Sequence, residues 1–252
     1  MAHELPGVHL LDPIHDFNAN HHGALTADGR YLVTVTAGDG MMVFQPGLVW
    51  DVRKGEVVHA LAHEGAIYHI SLEHGDRCVL TTSYDTTARL WDLATGQLRG
   101  VFSGHEAPIL TGVVYANGKL LATASQDSTA RIWDVSSGRQ IAVLRHGEGA
   151  VTALALDDAG RLLATVAGDG AVRIFSSRTG TRLGTSPAGT SPLLQGWFMR
   201  GGWRFVSRAK DGDLRVWELP PRGQALLDRA RRRVRHETLT REQRIRFFLE
   251  SP

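Results

Sequence analysis

Apolar and polar positions between residues 7 and about 220 do not recur at helical spacing. They fall into short runs such as CVLTTS (78–83), LLATAS (120–125) and LLATVA (162–167), rich in small and β-branched residues. Runs of this kind bounded by Gly, Asp and Asn predict short strands. Between them stand Asp28-Gly29, Asp39-Gly40, Asn117-Gly118, Asp169-Gly170 and Asp211-Gly212. Such pairs suit tight hairpins, because Gly takes positive φ without a steric cost. Helical spacing is confined to residues after about 224.

The runs repeat. LVWDVRKGE (48–56), ARLWDLATGQ (88–97), ARIWDVSSGR (130–139), VRIFSSRTGT (172–181) and LRVWELPPRG (214–223) are one phrase written five times. Its aromatic position falls at Trp50, Trp91, Trp133, Phe175 and Trp217, at spacings of 41, 42, 42 and 42. A second phrase precedes each: VTVTAGDG (33–40), LTTSYDTT (80–87), LATASQDS (121–128), LATVAGDG (163–170) and FVSRAKDG (205–212). Units of this length cannot bury both faces of their sheets alone, so they must stack on one another.

These residues resemble the WD40 repeat, over residues 7 to about 220. The resemblance implies an all-β fold, a β-propeller of about five blades of four antiparallel strands. The family places a His before the first strand, a Ser/Thr on the second, an Asp in the following turn and a Trp on the third. His63, Thr81, Asp85 and Trp91 match in the second unit, and His105, Thr123, Asp127 and Trp133 in the third. The fourth keeps His146, Thr165 and Asp169 but has Phe175, which cannot donate a hydrogen bond. The fifth keeps Ser207, Asp211 and Trp217 with Gly189 near the His position; the first has Asp39, Trp50 and His15, with about five extra residues around 41–45. A buried carboxylate and imidazole are tolerated only when hydrogen-bonded, so the set reads as a structural tetrad. A Ser/His/Asp catalytic site would be built once, whereas this set recurs.

The expected organisation is a propeller over 1–221 with repeats at about 15–55, 63–96, 105–138, 146–180 and 189–221, followed by a basic helical tail over 222–252. Outer strands are expected at 57–61, 98–102, 141–145 and 181–185, whereas the fifth unit runs into Pro220 and Pro221. Proline denies a ladder its donor. Residues 7–12 are the candidate to supply the missing strand and close a five-bladed ring; the alternative is that the five units belong to a larger propeller.

Composition and charge sharpen this picture. The 252 residues are 42% apolar and 21% charged, a globular balance, and no apolar run reaches the roughly 20 residues that span a bilayer. One cysteine, Cys78, excludes an internal disulfide and a multi-thiolate metal site. With no basic-then-apolar leader at the start, the expected location is cytoplasmic. The net charge of +2 hides an asymmetry: residues 222–252 hold nine Arg and four acids, the remainder 19 basic and 22 acidic residues. Arg229, Arg231, Arg232, Arg233 and Arg235 surround Leu226, Leu227, Ala230 and Val234 at helical spacing. The tail is similar to segments that end many bacterial WD-repeat proteins, which implies a bacterial signalling setting with a possible effector domain or subunit. The tail reads as a solvated helix docked on an acidic body; the alternative is nucleic-acid or anionic-surface binding, against which stands the lack of interleaved aromatics.

No catalytic, cofactor or metal signature is present: the histidines of the densest group, His15, His21, His22, His69 and His74, lack ligand spacing, and no phosphate-binding glycine loop occurs. The chain therefore reads as non-enzymatic, with no metal and no cofactor, and as a scaffold for a protein or peptide partner on one propeller face. By resemblance, that face carries the turn before each Asp. The matching positions are Gly38, Tyr84, Gln126, Gly168 and Lys210, with Tyr68, Leu110 and Gln195 on neighbouring first strands. The apolar insertion at 41–47 is a further candidate contact.

Overall fold

The computed structural model describes residues 22–35, 45–73, 75–147, 149–157, 160–186, 193–198, 204–210, 212 and 214–218. Among the described residues nineteen strands form five antiparallel sheets, each in chain order. The first holds β1 (His22–Leu25), β2 (Tyr31–Val35), β3 (Gly47–Asp51) and β4 (Glu56–Leu61). The second holds β5 (Ile67–Glu73), β6 (Cys78–Ser83), β7 (Ala88–Asp92) and β8 (Leu98–Phe102). The third holds β9 (Ile109–Tyr115), β10 (Leu120–Ser125), β11 (Thr129–Asp134) and β12 (Gln140–Arg145). The fourth holds β13 (Val151–Leu156), β14 (Leu162–Ala167), β15 (Val172–Ser176) and β16 (Arg182–Thr185). The fifth has three strands among the described residues, β17 (Leu193–Phe198), β18 (Arg204–Ala209) and β19 (Leu214–Glu218). The expected closing strand at 7–12, residues 41–44 of the insertion and the whole tail lie outside the described residues.

Burial explains why these runs do not alternate. Every residue of β6 and of β14 is buried, because both faces of a second strand are covered by neighbouring sheets. The core accordingly lies between sheets. Trp91 packs among Val33, Val35, Val49 and Leu61 of the first sheet. Trp133 packs with Leu80, Leu90 and Phe102 of the second, its ring meeting Phe102 edge-on at 6.0 Å. Phe175 joins Ala122, Ile132 and Leu144 of the third, and Phe205 joins Val166 and Ile174 of the fourth. Each sheet from the second to the fifth thus inserts one large aromatic into the sheet before it.

Polar links follow the same direction. Asp76 accepts from the Ala27 backbone N–H at 2.6 Å, and the Tyr115 hydroxyl donates to the Ser177 carbonyl at 2.6 Å. Inter-sheet contacts run from β1 to β5, β5 to β9, β9 to β13 and β13 to β17. Among the described residues, no contact of comparable extent joins the fifth sheet to the first. All four described outer strands carry a register shift against their neighbour, at Val49/Trp50, Leu90/Trp91, Ile132/Trp133 and Ile174/Phe175. A bulge on an exposed edge twists it away from pairing with another chain.

Two hairpin glycines show how closely successive sheets approach. Gly96 and Gly180 both have φ of 69°, and a Cβ at either would overlap the previous sheet: the His59 ring at 2.5 Å and the Ala142 Cβ at 2.4 Å. Gly29 has φ of 67° with nothing within 4 Å. Both Gly29→Ala and Gly180→Ala force a left-handed alanine, at about 1–2 kcal/mol. Gly180→Ala adds an overpacking cost of about 1–3 kcal/mol. Urea midpoints of the two variants are expected to separate by that second amount; equal midpoints would mean that the turn moves aside freely.

Candidate partner-binding face

The two complete units build the same polar chain. The Trp91 indole Nε1–H donates to Thr81 Oγ1 at 2.8 Å, Thr81 Oγ1 lies 2.7 Å from His63 Nε2, and His63 Nδ1 lies 2.8 Å from Asp85 Oδ2. The third sheet repeats it through Trp133, Thr123, His105 and Asp127 at 2.9, 2.8 and 2.7 Å. The proton order follows from the ends. Indole only donates and a carboxylate only accepts, so the Thr oxygen takes the indole proton and the imidazole donates to the carboxylate from Nδ1.

The carboxylates also organise the turn outside the chain of rings. Asp85 accepts from the Glu64 backbone N–H at 3.0 Å and from the backbone N–H and hydroxyl of Thr87 at 2.9 and 2.7 Å. Asp127 does the same with Glu106 at 3.1 Å and Thr129 at 2.9 and 2.6 Å. Burial works to raise the pKa of Asp85, but the His63 and Thr87 bonds hold it well below the usual carboxylate range. Asp127 is lowered in the same way against its burial, by Thr129 and His105. Burial lowers the His105 pKa in spite of the Asp127 carboxylate, in keeping with a neutral ring. Thr87 and Thr129, two residues past each Asp, are part of the site that motif matching missed. The repeated D-x-T of both units is the signal for them, and it is absent from D-G-A at 169–171.

The fourth sheet departs from the pattern. His146 Nε2 still meets Thr165 Oγ1 at 2.6 Å, but its Nδ1 faces the Leu144 carbonyl at 2.8 Å. Asp169 instead pairs with Arg173. In this unit Ala171 lacks the hydroxyl with which Thr87 and Thr129 hold their carboxylates, and His146 stands 23 residues before its Asp where His63 and His105 stand 22. In the first sheet Trp50 donates to Thr34 at 2.9 Å; His15, Asp39 and Asp211 lie outside the described residues. Ser207 of the fifth sheet is fully buried.

Tyr84, Gln126, Gly168 and Lys210 occupy equivalent turns at one end of the second to fifth sheets, and Tyr84, Gln126 and Lys210 are exposed. The Tyr84 N–H donates to the Ala66 carbonyl and the Gln126 N–H to the Pro108 carbonyl, at 2.9 and 3.0 Å, tying each turn to the loop that enters its sheet. Tyr68 is the extra residue of a bulge, between Ile67 paired with Ser83 and His69 paired with Thr82. This bulge brings its ring beside Tyr84, with centroids 5.7 Å apart and planes at 47°. Burial, then proximity to Tyr84, raises the Tyr68 pKa. Leu110 is the bulge residue of β9 and is buried. In the fifth sheet Gln195 pairs with Arg208, so it takes the position of His69, and Leu194 takes that of Tyr68. Leu194 also stands three periods of 42 residues past Tyr68, so the repeat spacing itself marks Leu194 rather than Gln195 as the equivalent residue.

Gly38, His15, His21, His74 and the five arginines of the tail, Arg229, Arg231, Arg232, Arg233 and Arg235, lie outside the described residues. Among the described residues no group of three His, Cys, Asp or Glu is placed to hold a metal ion, and no helix is long and apolar enough to cross a membrane.

Three successive segments, 55–92, 96–134 and 138–176, match the family model WD40, described as WD domain, G-beta repeat. The chain is 41% identical to Denticleless protein homolog of Danio rerio over 58 residues, 23% of this chain and 9% of that protein. It is 44% identical to Protein TOPLESS of Arabidopsis thaliana over 50 residues, 19% of this chain and 4% of that protein. The alignments thus span less than a tenth of these relatives, both of them eukaryotic. The crystal structure of the computationally designed Ika8 protein is similar with a TM-score of 0.64 and 25% identity, covering 75% of this chain and 56% of that chain. Each matched segment takes its first strand from one sheet and the next three from the following sheet, so the repeat itself staples neighbours together. Across 55–92, 96–134 and 138–176 the chain is therefore composed of WD40 repeats, folded into four-stranded antiparallel sheets of the kind that form propeller blades.

Proposed function

We propose that the chain is a non-catalytic interaction scaffold, which holds a protein or peptide partner on the face carrying Tyr68, Tyr84, Gln126 and Lys210. The observation that carries this reading is the Tyr68–Tyr84 pair. Two large aromatics meet at the exposed end of a sheet, on a turn braced by Asp85, Ser83 and Ala66. Rigid aromatic anchors supply contact area at low entropic cost. The polar tetrads support a binding reading rather than a catalytic one, since their Thr and His side chains are buried and spend their hydrogen bonds on one another. Capture of partners by the wild-type chain and by a Tyr68→Ala/Tyr84→Ala/Lys210→Ala variant tests it. Loss of the same partner in the variant is expected; unchanged capture would move the site elsewhere.

Ring closure by residues 8–11 belongs to the same reading. β19 pairs with β18 alone among the described residues, whereas the third strand of every other sheet has an outer partner. A setting in which this scaffold recruits or regulates an effector, in the cytoplasm of a bacterium, is supported by the likeness of the tail alone.

A second reading rests on the arginine run at 229–235. Clustered arginines bind phosphates through counterion release, so binding to DNA, RNA or anionic vesicles falls steeply with salt. Changing Arg229, Arg231, Arg232, Arg233 and Arg235 to Gln is expected to abolish such binding and its salt slope. Absence of any binding by the wild type at low salt would end this reading.

A further inference from the structure

We infer that the Tyr68–Tyr84 pair is a subsite for a cationic side chain, an Arg or Lys of the protein partner. The inference rests on the partner-binding reading above and names what that face selects. Tyr84 is 45% exposed and Tyr68 half-buried, so one edge of the ring pair is open to solvent. The faces of tyrosine rings carry negative electrostatic potential and attract cations.

Charge on the surrounding rim points the same way. Glu64 is exposed, and its backbone N–H bonds to Asp85, the residue after Tyr84. A Cβ on Gly65 would lie 2.7 Å from the Asp85 nitrogen and 3.2 Å from the Tyr84 carbonyl carbon, so the loop carrying Glu64 lies directly on the Tyr84 turn. Glu106 is exposed at the equivalent place one sheet along, its N–H bonded to Asp127. Neither glutamate holds an ion pair among the described residues.

The nearby cations are already engaged. Arg89 lies 3.7 Å from Asp85 and donates to the Ala62 carbonyl, Arg131 lies 3.8 Å from Asp127, and Arg173 pairs with Asp169. Lys210 stands on the fifth sheet, which is not a neighbour of the second sheet that carries the tyrosines. On the turns that carry the ring pair and its neighbour the rim therefore offers exposed glutamates without ion pairs among the described residues, together with a partly open aromatic pair, which complement a positive side chain rather than an apolar or acidic one.

The test uses the full chain, immobilised, and four hexapeptide pools with randomised flanks and a fixed central Arg, Lys, norleucine or Glu. The Arg and Lys pools are expected to be retained about five-fold more than the norleucine pool, and the Glu pool least. Tyr84→Ala removes the preference, Tyr84→Phe keeps it, and Glu64→Gln halves it or more. The substituted side chains are exposed, and matching melting temperatures establish that each variant folds. Equal retention of norleucine and Arg pools, with both lost in Tyr84→Ala, overturns the cation assignment while the docking face stands. Retention of every pool that is indifferent to Tyr84→Ala overturns both.

Discussion

Replacing Trp133 by alanine is expected to cost about 3–5 kcal/mol, read as a lower urea midpoint at pH 7. The indole is 2% exposed and fills the junction between the second and third sheets, against Leu80, Leu90 and Phe102. Its removal opens a cavity at a place where both walls are β-sheet backbone, which closes poorly. It also deprives Thr123 of its donor, although the Thr123 hydroxyl keeps His105 as a hydrogen-bond partner. Trp133→Phe separates the two contributions: it retains most of the apolar volume and loses the hydrogen bond, at about 1–2 kcal/mol. The fourth sheet already lives with that change, since Phe175 occupies the same position and is 3% exposed. If Trp133→Phe proves as damaging as Trp133→Ala, the polar chain rather than packing holds the junction.

Acid is expected to weaken the fold well above the range where its aspartates titrate. Burial, followed by the Arg173 guanidinium, lowers the His146 pKa from 6.5 to about 4. A histidine whose folded pKa is depressed stays neutral in the fold while the unfolded chain takes up a proton. Stability is therefore complete above pH 6.5 and falls between pH 6.5 and 4. The loss from this one residue reaches about 3 kcal/mol at 1.36 kcal/mol per pKa unit. His105, also lowered, acts in the same direction. Asp85 and Asp127 have the opposite sign of linkage: their contribution is present above the unfolded pKa of 3.8 and disappears only at lower pH, as each is protonated in the fold. His146→Leu should lower stability at pH 7 and flatten its decline from pH 6.5 to 4.5. A decline as steep as that of wild type would show that the neutral imidazole at 146 is not responsible.

The two sites differ in how far their chemistry could be read before folding. Resemblance to the WD40 repeat named His63, Thr81, Asp85 and Trp91 as one set, and each side chain is placed by a strand position and a turn length that recur every 42 residues or so. The same comparison flagged the fourth repeat through Phe175. It did not show Asp169 turning to Arg173, since that depends on competition between a guanidinium and an imidazole for one carboxylate. The tyrosine pair was half legible. Tyr84 follows from its turn, but the approach of Tyr68 depends on a bulge that places one extra residue in β5. β17 carries the same bulge at Leu194, which the repeat spacing already places opposite Tyr68, three periods of 42 residues on.

By itself, then, the sequence determined the period, the strands and the hairpin turns and, through its resemblance to the WD40 repeat, the members of the two complete tetrads. All of these arise from short-range rules: side-chain alternation, glycine and proline backbone preferences, and hydrogen-bonding groups at recurring separations. The tertiary structure alone decided the bulge registers, the seat of each aromatic in the preceding sheet, and the fit of Gly96 and Gly180 against the strands before them. It also decided the order of sheet contacts from first to fifth. Those features depend on which residues meet across two independently twisted sheets. No spacing within one repeat specifies that meeting, because it is set only when the sheets stack and their side chains compete for the same space.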